Sequence, residues 1–433
     1  MAELYLYLLV VICASLLGWG LIRPERIYQY PFFMGGIFVS FILPQAIALV
    51  NNPGPVSQQA LERVLLMSCL CAAMCWLGYQ LPSNRSFIKK LDISVDSSKL
   101  FHGGIVFVLG GYASAYLISR LPQAIQEVST WSGIITIYAF FRNLIYPGFT
   151  IVLLSTLQRP NLAKILLTTC AAALPLQLII FYGRREPTAT FILTIGLSLY
   201  FFRRYVPPRW VALTILVFAL LAIPLAGAYR NIAKTGDWNQ IQELRPRENL
   251  KNLVEKGKIL ELRNAAMMME AAVQTRQYAY GTDYWNTLVF RFVPAQLIGH
   301  NFKDSLQIKL SKSKYDLKTL YNYKIPNGST PTGIGDAFVQ FDYFGCLFFF
   351  IIAYLFKSLW ISAIYRNSIV SQIFYVSLVA PALLSVTHGT VRFFPDLLFR
   401  LIFIGAVIIY SQNKSLINYS QKYLVEGGDV IEE

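Results

Sequence analysis

The chain of 433 residues is 55% hydrophobic and 15% aromatic but only 14% charged, far below the about 25% charged residues of a water-soluble domain. That deficit excludes an ordinary soluble enzyme, because most of the surface must face something other than water. The net charge of +15 would point to nucleic acid in a soluble protein; here it reads as Lys and Arg retained in cytoplasmic loops, with a remainder at a basic external site.

Crossing a bilayer takes about 20 apolar residues at about 1.5 Å each. Runs of this kind occur at 4–22, 31–50, 62–81, 100–118, 132–156, 162–182, 188–203, 210–229, 338–360, 367–386 and 394–411. The first is expected to be a retained span and not a cleaved signal, since nothing basic precedes it and Glu3 is its only charge. The run at 188–203 is short and flanked by polar residues. The expected fold is an all-α polytopic membrane protein with about 11 transmembrane helices and one large, mostly helical external loop. Residues 1–229 carry the first eight spans, 230–337 the extracytoplasmic loop, 338–411 the last three spans and 412–433 a cytoplasmic tail.

Loop charge sets the direction. With the N-terminus outside, the cytoplasmic loops hold about 15 basic residues, among them Arg23, Arg26, Lys89, Lys90, Arg203, Arg204, Arg209 and Arg366, against about 5 in the short external loops. The long segment is then external, and its own charges do not count, because long loops translocate largely regardless of charge. The C-terminus is cytoplasmic. No internal repeat of the kind found in secondary transporters is visible. The six cysteines fall inside apolar runs and read as small buried helix residues, not as metal ligands or a disulfide framework.

The ionisable residues of the external face carry the chemistry. Gly183-Arg184-Arg185-Glu186-Pro187 joins the sixth and seventh runs. Ionisable groups near membrane depth are functional or paired. Arg184 and Arg185 read either as partners of Glu186 and lipid phosphate or as a fork of donors for a phosphate or diphosphate. Arg230 follows the eighth run, Arg291 sits in the apolar context Phe290-Arg291-Phe292-Val293-Pro294, and Arg392 lies in the last external turn beside His388. Arg142 sits within the fifth run, before Pro147-Gly148, which predicts a bent or re-entrant helix there. Each arginine alone reads as an interfacial anchor, but together they lack obvious acidic partners in sequence.

Residues 240–280 read as an amphipathic helix lying on the membrane, capping a cavity or standing in water. Residues 327–336, rich in Gly, Ser, Thr and Pro, read as a loop whose amides at Gly333 and Gly335 and hydroxyl at Thr332 face a phosphate or sugar. Asp336, directly before the ninth run, reads equally as a helix cap. Glu186, His300, Asp336 and His388 are the acid–base candidates of this face.

Taken together, these features resemble the bacterial oligosaccharide repeat-unit polymerases, the O-antigen polymerase (Wzy-type) family. The resemblance rests on Gly183-Arg184-Arg185 opening an apolar helix. It rests also on Arg291-Phe-Val-Pro294 through Lys303, then Ser329-Thr-Pro-Thr-Gly-Ile-Gly-Asp336 and Tyr343-Phe-Gly345. Motif detail covers only about fifty residues; the family's Arg/Trp/Pro stretch is here Ala295–His300, and its glycine-loop Glu is Asp336. What the resemblance implies is a GT-C-like membrane glycosyltransferase. It joins undecaprenyl-diphosphate-linked repeat units at the outer face of the bacterial cytoplasmic membrane, building an O-antigen, capsule or exopolysaccharide. Arg184, Arg185, Arg291, Arg230, Arg392 and Arg142 would hold the diphosphate. Asp336, Glu186 and His300, in that order, would supply the base, and Lys303, Thr332, Gly333, Gly335 and His388 would touch glycan or loop. No cofactor or metal is called for, and a divalent cation is not indicated. The implied partners are the lipid-linked oligosaccharide, membrane lipids, a chain-length regulator and a flippase, with no nucleic acid. An O-antigen ligase uses the same donor and the same arginine logic; a flippase for lipid-linked oligosaccharide is the competing class, expected to place its charges at the bilayer midplane.

Overall fold

The computed structural model of the protein describes residues 1–122, 133–243, 248, 251, 260–308, 317–326 and 328–412. The tail beyond Gln412, expected to be cytoplasmic, Asn327 and most of 244–259 therefore lie outside the described residues. Every regular element among those described is helical, apart from one isolated antiparallel bridge between Val95 and Gln412.

In chain order the helices are α1 (Ala2–Ile22), α2 (Tyr30–Ile37), α3 (Leu43–Asn51), α4 (Gln58–Gln80), α5 (Arg85–Lys90), α6 (Ser97–Ser119), α7 (Ile134–Arg142), α8 (Ile145–Gln158), α9 (Leu162–Ile180) and α10 (Arg185–Arg203). They continue as α11 (Arg209–Thr235), α12 (Glu261–Thr275), α13 (Thr282–Phe292), α14 (Ala295–Ile298), α15 (His300–Ser305), α16 (Leu317–Tyr321), α17 (Thr332–Phe341), α18 (Leu347–Tyr365), α19 (Ile369–His388) and α20 (Phe393–Ser411). Several begin on a polar cap: the side chains of Ser57, Asn84, Asp96, Asn161 and Ser368 each accept from a backbone N–H of the first turn, satisfying donors the helix itself leaves orphaned. A π-helical turn, Phe38–Ile42, carries α2 into α3.

Among the described residues, nine helical stretches are long and apolar enough to cross a membrane, including α7 with α8 and α17 with α18 taken as continuous. The break at Asn143-Leu144 between α7 and α8 agrees with the bend expected near Arg142. The other two expected crossings, α10 and α11, are also helices. α10 carries Glu186, paired with Arg392, in its first turn and ends where Arg204 donates to Asn367 Oδ1 at 3.1 Å. α11 starts where Arg209 donates to the Ile22 carbonyl at 2.9 Å and climbs to Tyr229, whose hydroxyl donates to the Ile180 carbonyl at 2.9 Å. Both thus run the full depth traversed by α19.

The bundle has two chemically distinct ends. At one, Arg366 pairs with Asp92 at 2.9 Å, Ser368 donates to the Leu91 carbonyl at 2.6 Å and Asp96 N–H donates to the Ser411 carbonyl at 2.7 Å. At the other, the N-terminal amine meets Glu62 at 3.6 Å, Arg63 pairs with Glu270, and Arg263 donates to the Asn52 carbonyl at 2.7 Å. The described part of the long segment is therefore tied to the end that carries residues 1, 52 and 62.

α19 is the axis. It is buried continuously from Val370 to Ala382 and packs against α8, α10, α17, α18 and α20. Around it Tyr30 stacks on Phe356 with ring centroids 4.5 Å apart, and the Tyr375 hydroxyl donates to the Tyr28 carbonyl at 2.9 Å. That acceptor satisfies the buried Tyr375 phenol.

Two expectations for the long segment change. α12 is packed on protein along one face. It docks on α4 and α17 with Leu262, Asn264, Ala265, Met267 and Met269 among its buried residues, and Leu262 N–H donates to Gln45 Oε1 at 3.0 Å. The stretch expected as an open loop becomes helix α17 from Thr332 onward, with Thr332, Gly333, Gly335 and Asp336 all buried. The glycines are there for approach: a Cβ on Gly333 would run into the carbonyl oxygen of Ser385, and one on Gly335 into Ala265. Because the obstacle at Gly333 is backbone, Gly333→Ala is expected to destabilise the protein by about 1–3 kcal/mol. A drop in melting temperature in detergent checks this, and an unchanged transition would contradict the packing.

Candidate active site at the arginine-rich end

The end of the bundle that carries the long segment gathers guanidinium groups from five separate places. Gly183, at φ +56, makes the left-handed turn that ends the α9 connection, a conformation nearly free only for glycine. A Cβ there would strike the Tyr229 ring and stand 3.4 Å from the Arg230 Cα, so the turn brings Arg230 beside Arg184. Arg184 is the N-cap of α10 and its side chain is exposed. Glu186, in the first turn, accepts from Arg392 Nη2 at 3.2 Å. Arg392 is in turn the N-cap of α20. The N-terminal ends of α10 and α20 are thus joined side by side by the Glu186–Arg392 pair.

Arg142, at the C-terminal end of α7, is half-buried and has Tyr146, Arg184, Glu186 and Tyr182 as its electrostatic neighbours. Arg291, at the end of α13, pairs with Asp396 Oδ1 at 2.6 Å. Asp396 also faces Arg400, 3.7 Å away and one turn along α20. Arg400 is buried, and its Nε donates to the Ser377 carbonyl at 2.7 Å while Nη1 donates to the Asp396 carbonyl at 3.1 Å. Glu186 and Tyr146 also lie within electrostatic reach of Arg400. The described side chains of Arg142, Arg184, Arg291, Arg392 and Arg400 are thus five guanidinium groups set against two carboxylates, Glu186 and Asp396. The surplus is positive, and it suits a polyanion more than an isolated carboxylate.

Asp396 and Arg400 were not among the residues anticipated, and they supply acidic pairing that local sequence did not show. A signal was present: an acid and a base four apart inside the apolar run Phe393–Phe403 are neighbours on one helix face, and ionisable groups there are rarely idle.

The other anticipated residues sort by position. Asp336 is 8% exposed, and its Oδ2 accepts from Thr390 Oγ1 at 2.5 Å and Val391 N at 3.0 Å. Since the Thr390 proton is committed to the carboxylate, the 2.9 Å contact with Tyr284 makes Tyr284 the donor. Asp336 therefore holds the turn that delivers Arg392. Burial pushes the Tyr284 phenol above its ordinary range, which keeps it protonated for that role. Replacing Asp336 by Ala removes both acceptor contacts and should cost about 1–3 kcal/mol. Asp336→Asn retains an acceptor oxygen and should keep most stability and activity, whereas loss of activity in a stably folded Asn variant would make Asp336 a proton acceptor instead.

Lys303 donates to the Phe290 carbonyl at 3.0 Å, with its ammonium 4.7 Å from the Phe290 ring centre, and burial lowers it below the ordinary lysine range. It secures the end of α13 that carries Arg291. His388 Nδ1 is 2.6 Å from Thr387 Oγ1 at the end of α19. His300 is exposed on α15, and no hydrogen bond or ion pair among the described residues joins it to the arginines. Thr332, Gly333 and Gly335 are enclosed by helix packing, as above. The Arg185 backbone opens α10; its side chain lies outside the described atoms. A cavity of about 490 Å³ lined by Asp92, Ser94, Gln158 and Asn367 sits at the opposite end and is no part of this site.

No protein-family model, curated protein or solved structure matches the chain.

Proposed function

We propose that the protein is a membrane glycosyltransferase that polymerises lipid-diphosphate-linked oligosaccharide repeat units at the outer face of a bacterial cytoplasmic membrane. The observation that carries this reading is the positive surplus of the Arg142, Arg184, Arg291, Arg392 and Arg400 group, in which Arg184 and Arg392 cap the adjoining N-termini of α10 and α20. In the reaction an acceptor hydroxyl oxygen bonds to the anomeric carbon, the bond from that carbon to the diphosphate breaks, and the lipid diphosphate leaves with the electron pair. Charge grows on the leaving group, so fixed guanidinium donors stabilise the transition state more than the ground state. Of the two carboxylates among the arginines, Glu186 is the more exposed and is held by one arginine, Arg392; it is assigned the acceptor proton in preference to buried Asp336.

The reading includes eleven crossings, because α10 and α11 run between the same two ends as the nine apolar spans. It also includes an external N-terminus and a cytoplasmic C-terminus, from the loop-charge asymmetry. A reporter fused after residue 270 should be active outside the cytoplasmic membrane, and activity only in the cytoplasm would reverse the orientation. Arg184, Glu186 and Arg392 stand at helix ends, near one membrane face, which favours an enzyme over a flippase, while Arg400 lies near the middle of its span, where it pairs with Asp396 and donates to the Ser377 carbonyl. In cells making lipid-linked repeat units, loss of the protein should leave single units on the outer leaflet. Units trapped on the inner leaflet would indicate a flippase.

A further inference from the structure

Helices α13, α14 and α15 form a hairpin that belongs to no membrane-crossing stretch yet displays large apolar side chains. Its two arms are stitched together. Trp285 Nε1 donates to the Leu306 carbonyl at 2.8 Å, Asn286 exchanges hydrogen bonds with the backbone of Ile308 at 2.9 and 3.0 Å, and Lys303 reaches the Phe290 carbonyl. The tip is then 294–299. There Leu297 is 75% exposed and Ile298 is exposed beside it, with Phe302, 55% exposed, and Phe290 one turn behind and Trp285 at the base.

The hairpin's depth is fixed by contacts with the bundle. Gln296 Nε2 donates to the Gly133 carbonyl at 3.0 Å, the residue before α7 begins. The Phe292 ring lies 5.4 Å from Phe140, which itself contacts Phe399 at 5.0 Å. Phe140 is about 9 Å along α7 from its first residue. The tip thus sits level with the entry of a membrane helix, and its apolar surface continues that of α7, where Ile134 and Phe141 are exposed.

We propose that this hairpin is an interfacial anchor whose tip inserts into the leaflet on the arginine side, with lipid acyl chains covering Leu297, Ile298 and Phe302. The order of chemistry along it, aliphatic at the tip and Trp and Lys toward the base, matches the gradient from hydrocarbon to headgroup. The tip backbone is suited to that boundary: the N–H groups of Leu297, Ile298 and Gly299 donate to Pro294 and Ala295 carbonyls within the turn, leaving few donors for water to satisfy. Because α13 ends in Arg291, paired to Asp396, lipid contact at the tip also sets the height of that arginine. The inference does not depend on the proposed reaction.

The test uses the full chain in vesicles of phosphatidylethanolamine and phosphatidylglycerol, in a Cys170→Ser background, since Cys170 is exposed and the other five cysteines are buried. Spin labels are placed through Leu297→Cys, Phe302→Cys and, as the water-facing control, Asp304→Cys, and their collision rates with oxygen and with a water-soluble nickel chelate are measured. The oxygen-to-nickel ratio should be roughly tenfold higher at 297 and 302 than at 304, as acyl-chain burial requires. Ratios at 297 and 302 no higher than at 304 overturn the proposal, whether water reaches all three positions or protein covers them.

Discussion

Arg184→Ala is expected to lower chain extension by about 10²–10³-fold, the loss typical of one removed transition-state donor, without lowering stability. Arg184 is exposed, and its neighbour Arg142 carries the same charge. Removing either relieves repulsion in the folded state, so the melting temperature should hold or rise while activity falls. That opposition is the signature of charges held together for function at a cost in stability. Arg184→Lys sharpens the test, since lysine keeps the charge but loses the planar two-pronged donor; activity between wild type and Ala is the expected outcome. Arg291→Ala should also abolish extension in a folded protein, because Arg400 remains to neutralise Asp396. Full-length polymer from the Arg184 and Arg291 alanine variants would remove the diphosphate-clamp reading.

The largest loss of stability is expected from Asp396→Ala. Asp396 stands between Arg291 at 2.6 Å and Arg400 at 3.7 Å, and Arg400 is 7% exposed. Without the carboxylate, Arg400 is a buried charge held only by two carbonyls, and stranding such a charge costs about 3–5 kcal/mol. Replacing both members, Asp396→Leu with Arg400→Met, removes the stranded charge and should recover much of that loss, since a buried pair often exchanges for apolar residues at little net cost. A melting curve for Asp396→Ala that overlays wild type would show that water or lipid phosphate reaches Arg400, contrary to its burial.

The helical membrane class was legible because hydropathy over about 20 residues is set by the bilayer and not by neighbouring chain. α10 and α11 were legible as helices, although their polar ends leave them outside the nine stretches apolar enough to cross a membrane. Arg142, Arg184, Arg291 and Arg392 were readable one at a time as misplaced charges. Their pairing was not, because Glu186 and Arg392 are joined by folding across 206 residues. Asp396 and Arg400 were overlooked inside an apolar run, where an acid–base pair four apart is the available clue. The glycines of 333–335 misled: composition of that kind marks loops, but close helix packing demands the same residue, and only the positions of Ser385 and Ala265 distinguish the two. Asp336, in the same stretch, is buried beneath the 390–391 turn, a contact across more than fifty residues that local sequence does not show.

The most direct test of the central claim is turnover by the purified full chain in proteoliposomes supplied with undecaprenyl-diphosphate-linked repeat units. Products are resolved by size beside the Arg184→Ala protein. The account predicts a ladder of lipid-linked polymer from wild type, with neither nucleotide sugar nor energy source added, and single units only from the variant. No ladder from folded wild-type protein, or an undiminished ladder from Arg184→Ala, would contradict it.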